Sequence, residues 1–361
     1  MRTKLSIILA LLAALLAAPG SAQAASPAKW GFAYVDNPTA TAWTTLDPTH
    51  QWGSWKTTAP GLSAEGRLVG GVYQVKFPAI GTGGARPVGL AHVTAVGGGT
   101  NNYCHLVRWF QEAADEIVEV KCQAARSVSP APTRFTVVWT LSPGVTGGQG
   151  THAYFHWATG ERYNSTGGSV MVTGTNPYLV QFTGVGAPTG PLTGNVQVTA
   201  VGQYQQALRC KVMEWKGTVT VSASVYCFTV TGQVPSGVDF TASYHRERSI
   251  IGAAPPEPPK AFGYLLCQNG TVIARYPVGV GCGQVGPAKY ATVFPGQQVN
   301  ETHAQVTAYG PGPGVAAPGD PATYCTLASI WVNAQPPVNC FDSTGRPSLN
   351  GFFTAFTTSR P

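Results

Sequence analysis

Three segments of the chain repeat the same ordered series of short motifs, and this repetition limits what the chain can fold into. Each copy starts with a Tyr and a Phe four positions apart, continues through a V-T-A motif and a Cys followed by Trp, and ends with a second Cys and an aromatic run. The matching segments are GVYQVKF (71–77), HVTA (92–95), YCHLVRW (103–109), EVKC (119–122) and RFTVVW (134–139); PYLVQF (177–182), QVTA (197–200), RCKVMEW (209–215), SVYC (224–227) and DFTASY (239–244); and KYATVF (289–294), QVTAYG (305–310), YCTLASIW (324–331), PVNC (337–340) and FFTAF (352–356).

The repeat unit is roughly 100 residues long, and its internal spacing is regular. The second Cys and a Phe are 13 positions apart in every copy, as in Cys122 and Phe135. A unit of this size is typical of a complete domain rather than of a solenoid repeat. We predict module 1 at 25–140, a turn-rich linker at 141–150, module 2 at 151–248, a proline-rich linker at 249–260 and module 3 at 261–361.

The segments within a module have the patterns of β-strands. YQVKF and RFTVVW alternate or are rich in β-branched residues, and the 44 glycines and 29 prolines of the chain supply turns. WFQEAADEIVEV resembles a helix, but its counterpart in module 2, WKGTVTVSASVYC, has a β pattern, so we predict a hairpin there. The predicted fold class is all-β, with three tandem antiparallel β-sandwiches of jelly-roll or Ig-like type.

The eight cysteines are predicted to form disulfides within modules. Eight cysteines allow 105 pairings, and the repetition selects one pair that brackets a hairpin in each module, with an additional pair in module 3. Cys104 is followed by His105, but the counterparts of His105 are Lys211 and Thr326, so we interpret Cys104 as structural and His105 as incidental. The predicted bridges are Cys104–Cys122, Cys210–Cys227, Cys267–Cys282 and Cys325–Cys340, with Trp109, Trp215 and Trp331 buried beside three of them.

Residues 1–24 have the pattern of a secretory signal peptide. Arg2 and Lys4 precede an uncharged apolar run, and Ala22-Gln23-Ala24 forms an A-x-A cleavage site. We therefore expect a secreted, extracellular protein, a compartment in which disulfides persist. No later stretch approaches 18 apolar residues, so we expect no membrane span in the mature protein.

Several function classes lack a supporting pattern in the sequence. The net charge is +7, but the basic residues are scattered, which argues against nucleic acid as a partner. His152 and His156 are four apart on a predicted strand, roughly 13 Å from each other, which is too far for one zinc ion. We expect both to be surface or half-buried, and we assign no catalytic residue, no metal site and no cofactor.

Carboxylates and tryptophans leave two further interpretations open. A secreted hydrolase would need paired carboxylates, which only module 1 could supply. Four tryptophans near the start of module 1 either stack on sugar rings or pack in the core, where most Trp surface is buried. The candidate carboxylates are Asp36, Asp47, Glu112, Asp115, Glu116 and Glu119, and the candidate ligand-binding tryptophans are Trp30, Trp43, Trp52 and Trp55.

The motif series as a whole resembles the repeats of uncharacterised secreted proteins of high-GC actinobacteria. The elements that carry the resemblance are GVYQVKF, QVTAYG, RCKVMEW, IVEVKC and DFTASYHR, and together they span roughly residues 30 to 357. The resemblance implies the repeat architecture and transfers no activity. Module 3 departs from the pattern through Cys267, Cys282 and a longer loop at 310–320.

The function expected from these features is that of a secreted, non-enzymatic β-repeat protein. Its expected partner is an extracellular glycan or another cell-envelope polymer, because the modules repeat without repeating any catalytic group. Tandem modules would raise avidity if each bound weakly. Two alternatives stay open at this point: a secreted hydrolase with its site in module 1, and a secreted inhibitor or effector that acts on another protein.

Overall fold

The computed structural model describes residues 28–84, 86–97, 100–142, 150–189, 192–252, 261–310 and 321–359. The predicted signal peptide and much of both linkers lie outside these residues. The described chain is nearly all β, which confirms the predicted fold class. Two short 3-10 helices, Pro48–His50 and Ser54–Thr57, lie in module 1, and no described helix has the length and apolar character needed to cross a membrane.

Each module contributes two groups of strands, which pack face to face. Module 1 contains β1 (Lys29–Val35), β2 (Thr44–Thr45), β3 (Gln51–Gly53), β4 (Glu65–Val69), β5 (Val72–Phe77), β6 (Leu90–Val96), β7 (Tyr103–Glu112), β8 (Asp115–Gln123) and β9 (Arg134–Leu141). Module 2 contains β10 (Thr151–His156), β11 (Arg162–Asn164), β12 (Val170–Gly174), β13 (Tyr178–Phe182), β14 (Asn195–Val201), β15 (Leu208–Gly217), β16 (Val221–Thr229) and β17 (Asp239–Arg246). Module 3 contains β18 (Phe262–Gln268), β19 (Thr271–Tyr276), β20 (Gly281–Gly286), β21 (Lys289–Val293), β22 (Thr302–Tyr309), β23 (Tyr324–Leu327), β24 (Val338–Phe341) and β25 (Gly351–Thr358). The predicted hairpin between Trp109 and Cys122 is confirmed as β7 and β8.

Every sheet of the molecule is shared between two modules. The 1–2 sheet has the order β11-β10-β17-β14-β7-β8-β5-β4-β2, so module 2 supplies one half and module 1 the other. The 2–3 sheet has the order β12-β13-β16-β15-β22-β25-β18-β19, and the 3–1 sheet has the order β20-β21-β24-β23-β6-β9-β1-β3. Module 1 is therefore joined to both others, and the three modules form a closed ring.

Three equivalent parallel contacts close this ring. Val201 of β14 is paired with Leu106 of β7, Val212 of β15 with Tyr309 of β22, and Leu327 of β23 with Val96 of β6. A glycine extends each contact by one backbone hydrogen bond: Gly202 N donates to Leu106 O at 2.8 Å, Gly97 N to Leu327 O at 2.8 Å and Gly310 N to Val212 O at 3.1 Å. The molecule thus has an approximate three-fold axis with one module per third.

The strands β6, β14 and β22, which contain the V-T-A motifs, lie next to this axis and are buried on both faces. Ala91, Val93 and Ala95 point into the core of module 1, while His92 and Thr94 alternate with them and face the axis. The axis is therefore polar, and its groups are paired with each other. Thr94 Oγ1 accepts from Val306 N at 3.0 Å, Thr307 Oγ1 accepts from Val198 N at 3.0 Å, and Gln305 Nε2 donates to Val93 O at 3.1 Å.

The four predicted disulfides are present; three join strands within one sheet, and the fourth joins two sheets. Cys104–Cys122, Cys210–Cys227 and Cys325–Cys340 each join neighbouring strands of one sheet at directly opposed positions. Cys267–Cys282 joins β18 of the 2–3 sheet to β20 of the 3–1 sheet, so it holds the two halves of module 3 together. Trp109, Trp215 and Trp331 are buried, as predicted.

Candidate functional site

The four candidate tryptophans of module 1 do not form one exposed surface. Trp55 is 1% exposed and stacks on Phe77 in the core of module 1, with ring centroids 6.0 Å apart. Trp30 is 8% exposed and stacks on Phe32 at 5.9 Å. Both side chains therefore serve packing.

Trp43 and Trp52 are half-buried, and cations lie over their rings. The guanidinium of Arg67 is 4.2 Å and the amine of Lys76 is 4.7 Å from the centroid of Trp43, while the amine of Lys56 is 5.3 Å from that of Trp52. Cation–π pairs of this kind occupy the ring face that would otherwise stack on a sugar. The tryptophan set consequently offers little free aromatic surface.

The candidate carboxylates of the hydrolase alternative are dispersed, and three of them, Asp47, Asp115 and Glu119, already accept hydrogen bonds. Asp47 caps the Pro48–His50 helix through Thr49 N at 2.8 Å, and its Oδ2 lies 3.0 Å from His50 Nδ1. Burial raises the pKa of Asp47, but the hydrogen bonds from Thr49 and His50 outweigh it and leave the pKa lowered. Asp36 follows β1, and Glu112 and Asp115 oppose each other at the tip of the β7–β8 hairpin.

Glu116 and Glu119, three positions apart on β8, lie on opposite faces of the sheet. Glu119 accepts from Arg108 Nε at 2.8 Å and from Gln74 Nε2 at 2.9 Å, and these bonds outweigh burial and lower its pKa. Glu116 is fully buried and neither oxygen has a hydrogen-bond partner among the described residues; burial raises its pKa to about 8, against the opposing charge of Lys29. Glycoside hydrolysis needs two carboxylates that flank one glycosidic bond. Glu116 and Glu119 point to opposite sides of the sheet and cannot do this.

The histidines of HAYFH lie in a strand, as predicted, but both are buried. His152 is 0% and His156 is 4% exposed, so the expectation of surface or half-buried side chains is wrong. The reason is that β10 pairs on both sides, with β11 and β17, in a sheet covered on both faces. His156 Nε2 lies 3.1 Å from Asp239 Oδ2. Within the described ranges, no group of three or more His, Cys, Asp or Glu side chains is placed to hold a metal ion.

A groove of about 560 Å³ lies beside the contact between modules 1 and 2. Two loops of module 2 form most of it: the β14–β15 loop, GQYQQA at 202–207, and the β16–β17 loop at 230–238. Val107 and Val128 of module 1 contribute the remaining wall. The volume falls within the range of about 300–1,000 Å³ that is usual for ligand sites.

Seven uncharged amide and hydroxyl side chains line this groove, together with nine apolar ones such as Val107, Leu208 and Val230. Asp239 also lines it, but the carboxylate is held by His156 and by the backbone N–H of Ala158 at 2.9 Å. Amide and hydroxyl groups can both donate and accept hydrogen bonds, so the groove is matched to a ligand that does the same. The polar side chains are those of Gln203, Gln205, Gln206, Thr229, Thr231, Gln233 and Ser236.

The GQYQQA loop is fixed in place by the outer face of β8 in module 1. Tyr204 Oη donates to Glu119 Oε2 at 2.7 Å, Gln123 Nε2 donates to Gln206 O at 3.1 Å, and the amine of Lys121 donates to Tyr204 O. The ring of Tyr204 stays 47% exposed beside the groove. The groove is therefore preorganised by the contact between modules, and the loop that forms it carries the half-exposed ring of Tyr204, with the guanidinium of Arg108 5.9 Å from the ring centroid.

This groove was not among the sites predicted from the sequence, although the sequence contains a signal for it. Three glutamines within the six residues of GQYQQA are confined to module 2, since the corresponding stretches are GGGTNN in module 1 and YGPGPG in module 3. A cluster that occurs in only one copy of a repeat is a departure from the shared scaffold. The second loop has no comparable signal, because only the fold brings 230–238 beside 202–207.

No protein-family model, curated protein sequence or solved structure matches the chain. The resemblance to actinobacterial repeat proteins therefore stays a prediction, and the function is inferred from the groove and its chemistry.

Proposed function

We propose that the protein is a secreted, non-enzymatic binding protein whose glutamine-lined groove takes a segment of an extracellular glycan or a similar cell-envelope polymer. The observation that carries the proposal is the lining itself, which combines uncharged amides and hydroxyls with apolar side chains, while Tyr204 on the 202–207 loop is exposed nearby. Neutral sugars present hydroxyls that donate and accept hydrogen bonds, together with apolar C–H faces that pack on aromatic rings.

We expect the groove to bind a single segment of the polymer weakly. A hydrogen bond to the ligand replaces one to water, so each contributes only about 0.5–1.5 kcal/mol net. The glutamines of 202–207 and Gln233 are exposed in the free protein, so the groove is open to a polymer that passes through it. Binding to an extended polymer would then depend on several shallow contacts, which suits adhesion better than catalysis.

The test is a screen of the purified protein on an array of envelope and extracellular oligosaccharides, followed by calorimetric titration with the best ligand. Gln205→Ala combined with Gln233→Ala removes two exposed amides from opposite walls of the groove. We expect this double variant to weaken binding about tenfold or more, from the loss of two hydrogen bonds. Tyr204→Ala should weaken binding through loss of the aromatic surface.

The matched control is Gln284→Ala, which removes an exposed glutamine on the β20–β21 hairpin of module 3 and should leave the affinity unchanged. Absence of binding to every polymer on the array would count against the proposal. Binding that is unaffected in the groove variants but lost in Trp43→Ala or Trp52→Ala would place the binding site at that tryptophan instead of in the groove.

A further inference from the structure

At one end of the three-fold axis, module 2 departs from modules 1 and 3 at an equivalent position. The residue before the first hairpin Cys is Tyr103 in module 1, Arg209 in module 2 and Tyr324 in module 3. The fold brings all three together: the guanidinium carbon of Arg209 is 4.9 Å from the ring centroid of Tyr103 and 4.5 Å from that of Tyr324. A cation is thus held between two aromatic rings on the axis.

A cavity of about 50 Å³ lies beneath these side chains. Its lining repeats the same positions from each module, namely the Val, Thr and Ala of the V-T-A motif, the first hairpin Cys and the residue before that Cys. Leu208 is added from module 2 and Thr326 from module 3. One water molecule needs about 10–15 Å³ of such volume, so the cavity has room for a small ligand or a few waters.

Arg209 is buried, and no negative charge among the described residues is paired with it. The side chain is 5% exposed; its Nη2 donates to the carbonyls of Thr229 and Val230 at 3.3 Å each, while Nε and Nη1 have no partner among the described residues. None of the ion pairs in the described ranges includes Arg209. Asp342 lies near Tyr324, but its Oδ1 is occupied by hydrogen bonds from its own turn.

Two further hydroxyls at the cavity also lack partners. Tyr103 Oη and Thr326 Oγ1 are buried without a hydrogen bond in the described part of the chain. Tyr103 stays a neutral donor at ordinary pH, because burial raises its pKa to about 12 against the opposing charge of Arg209. Guanidinium N–H groups and hydroxyls are the donor set that binds an anion, and an unpaired buried charge is otherwise strongly disfavoured.

We propose that the axial cavity binds a small monovalent anion of halide size against Arg209, with Tyr103 and Thr326 as additional donors. The anion balances the buried guanidinium at the point where all three modules meet, so its binding stabilises the closed ring. This site adjoins the glutamine-lined groove through Leu208, which lines both, but it does not depend on the function proposed for the groove.

The experiment measures the melting temperature of the protein during a chloride or bromide titration from 1 to 200 mM, with ionic strength held constant by gluconate, which is too large for the cavity. A ligand that binds only the folded state raises the melting temperature with ligand concentration, so the wild type should gain several degrees across this range. Arg209→Tyr installs the residue that the other two modules use, and it should fold and lose the halide response. Arg346→Gln removes an exposed arginine and should retain the full response.

A crystal soaked in bromide gives a second readout that requires no variant. An anomalous peak in the cavity beside Arg209 supports the proposal. Equal halide responses in the wild type and in Arg209→Tyr, or a cavity that holds only water in the bromide-soaked crystal, would overturn it. If Arg209→Tyr fails to fold, the bromide position alone decides.

Discussion

Five buried histidines have a strongly lowered pKa, and this sets how the protein responds to acid. Burial lowers the pKa to about 3 in four of them, so the neutral form is the one that fits the fold; these are His92, His105, His245 and His303. Burial also lowers the pKa of His152 well below its usual value. The unfolded chain has histidines with a pKa near 6.5 and takes up protons first as the pH falls. Below about pH 6.5 each of these histidines therefore favours unfolding.

We predict that stability has a maximum near pH 7 and falls steeply towards pH 5. At pH 5 each of the four histidines costs about 2 kcal/mol, which together approaches the total stability of an ordinary domain. Glu116 acts in the opposite sense, because its pKa of about 8 in the fold exceeds its ordinary 4.5. The stability that comes from protonated Glu116 is fully present below pH 4.5 and is lost as the pH rises through 8. Urea denaturation at half-unit pH intervals measures this curve.

His92→Gln is the variant that isolates one histidine, since Gln197 and Gln305 occupy the same position in the other modules. It should reduce the slope of unfolding free energy against pH between 4.5 and 6 by one proton, about 1.4 kcal/mol per pH unit. An unchanged slope in this variant would mean that His92 is protonated in the fold, contrary to its burial.

At the scale of elements, the sequence predicted which strands form hairpins better than it predicted which strand faces are exposed to solvent. The paired cysteines and the spacing of Trp109 from Cys104 located the β7–β8 hairpin and its bridge correctly, because both depend on residues close together in the chain. The strand Leu90–Val96 is different: LAHVTAV alternates apolar and polar residues, a pattern typical of a strand with one solvated face. Its polar face instead meets the polar faces of two other modules, and no local pattern shows that.

The glutamine-lined groove and the axial cavity could not be predicted from the sequence, for a related reason. Each needs residues that are distant in sequence, and the parallel pairings that bring them together, such as Leu327 with Val96, leave no motif. The departures from the repeat were visible, in GQYQQA and in Arg209, but without the ring closure they could not be assigned to a site.

We predict that Thr307→Val destabilises the protein by about 1–3 kcal/mol, because it leaves a buried N–H without an acceptor. Thr307 Oγ1 accepts from Val198 N at 3.0 Å and donates to Gln197 Oε1 at 2.7 Å, so valine preserves the shape and removes both bonds across the module contact. Thr173→Val, on the exposed β12, should change stability by no more than about 0.5 kcal/mol. Equal effects in the two variants, measured by urea denaturation, would show that the axial hydrogen bonds do not contribute.

In the described part of the molecule there are three large hydrophobic cores and three smaller clusters, and no sheet belongs to one module. Each core lies between the two strand groups of a module, with small contributions from a neighbour such as Val201 to the core of module 1. Module size alone suggested domains that could fold separately. The shared sheets argue instead that folding and ring closure are coupled, because a released module would expose two strand edges that normally pair with its neighbours.

We predict that the full chain unfolds in a single transition, with a calorimetric enthalpy equal to the van't Hoff enthalpy. A fragment that ends at residue 252 lacks module 3 and leaves β6 without β23 and β15 without β22. It also loses the partner of Thr94, Val306. We expect this fragment to aggregate or to give an NMR spectrum with poor chemical-shift dispersion. The reason is that the exposed strand edges are templates for pairing with other chains. A monomeric fragment with a dispersed spectrum, or three separate transitions in the full chain, would establish instead that the modules fold independently and that ring closure follows folding.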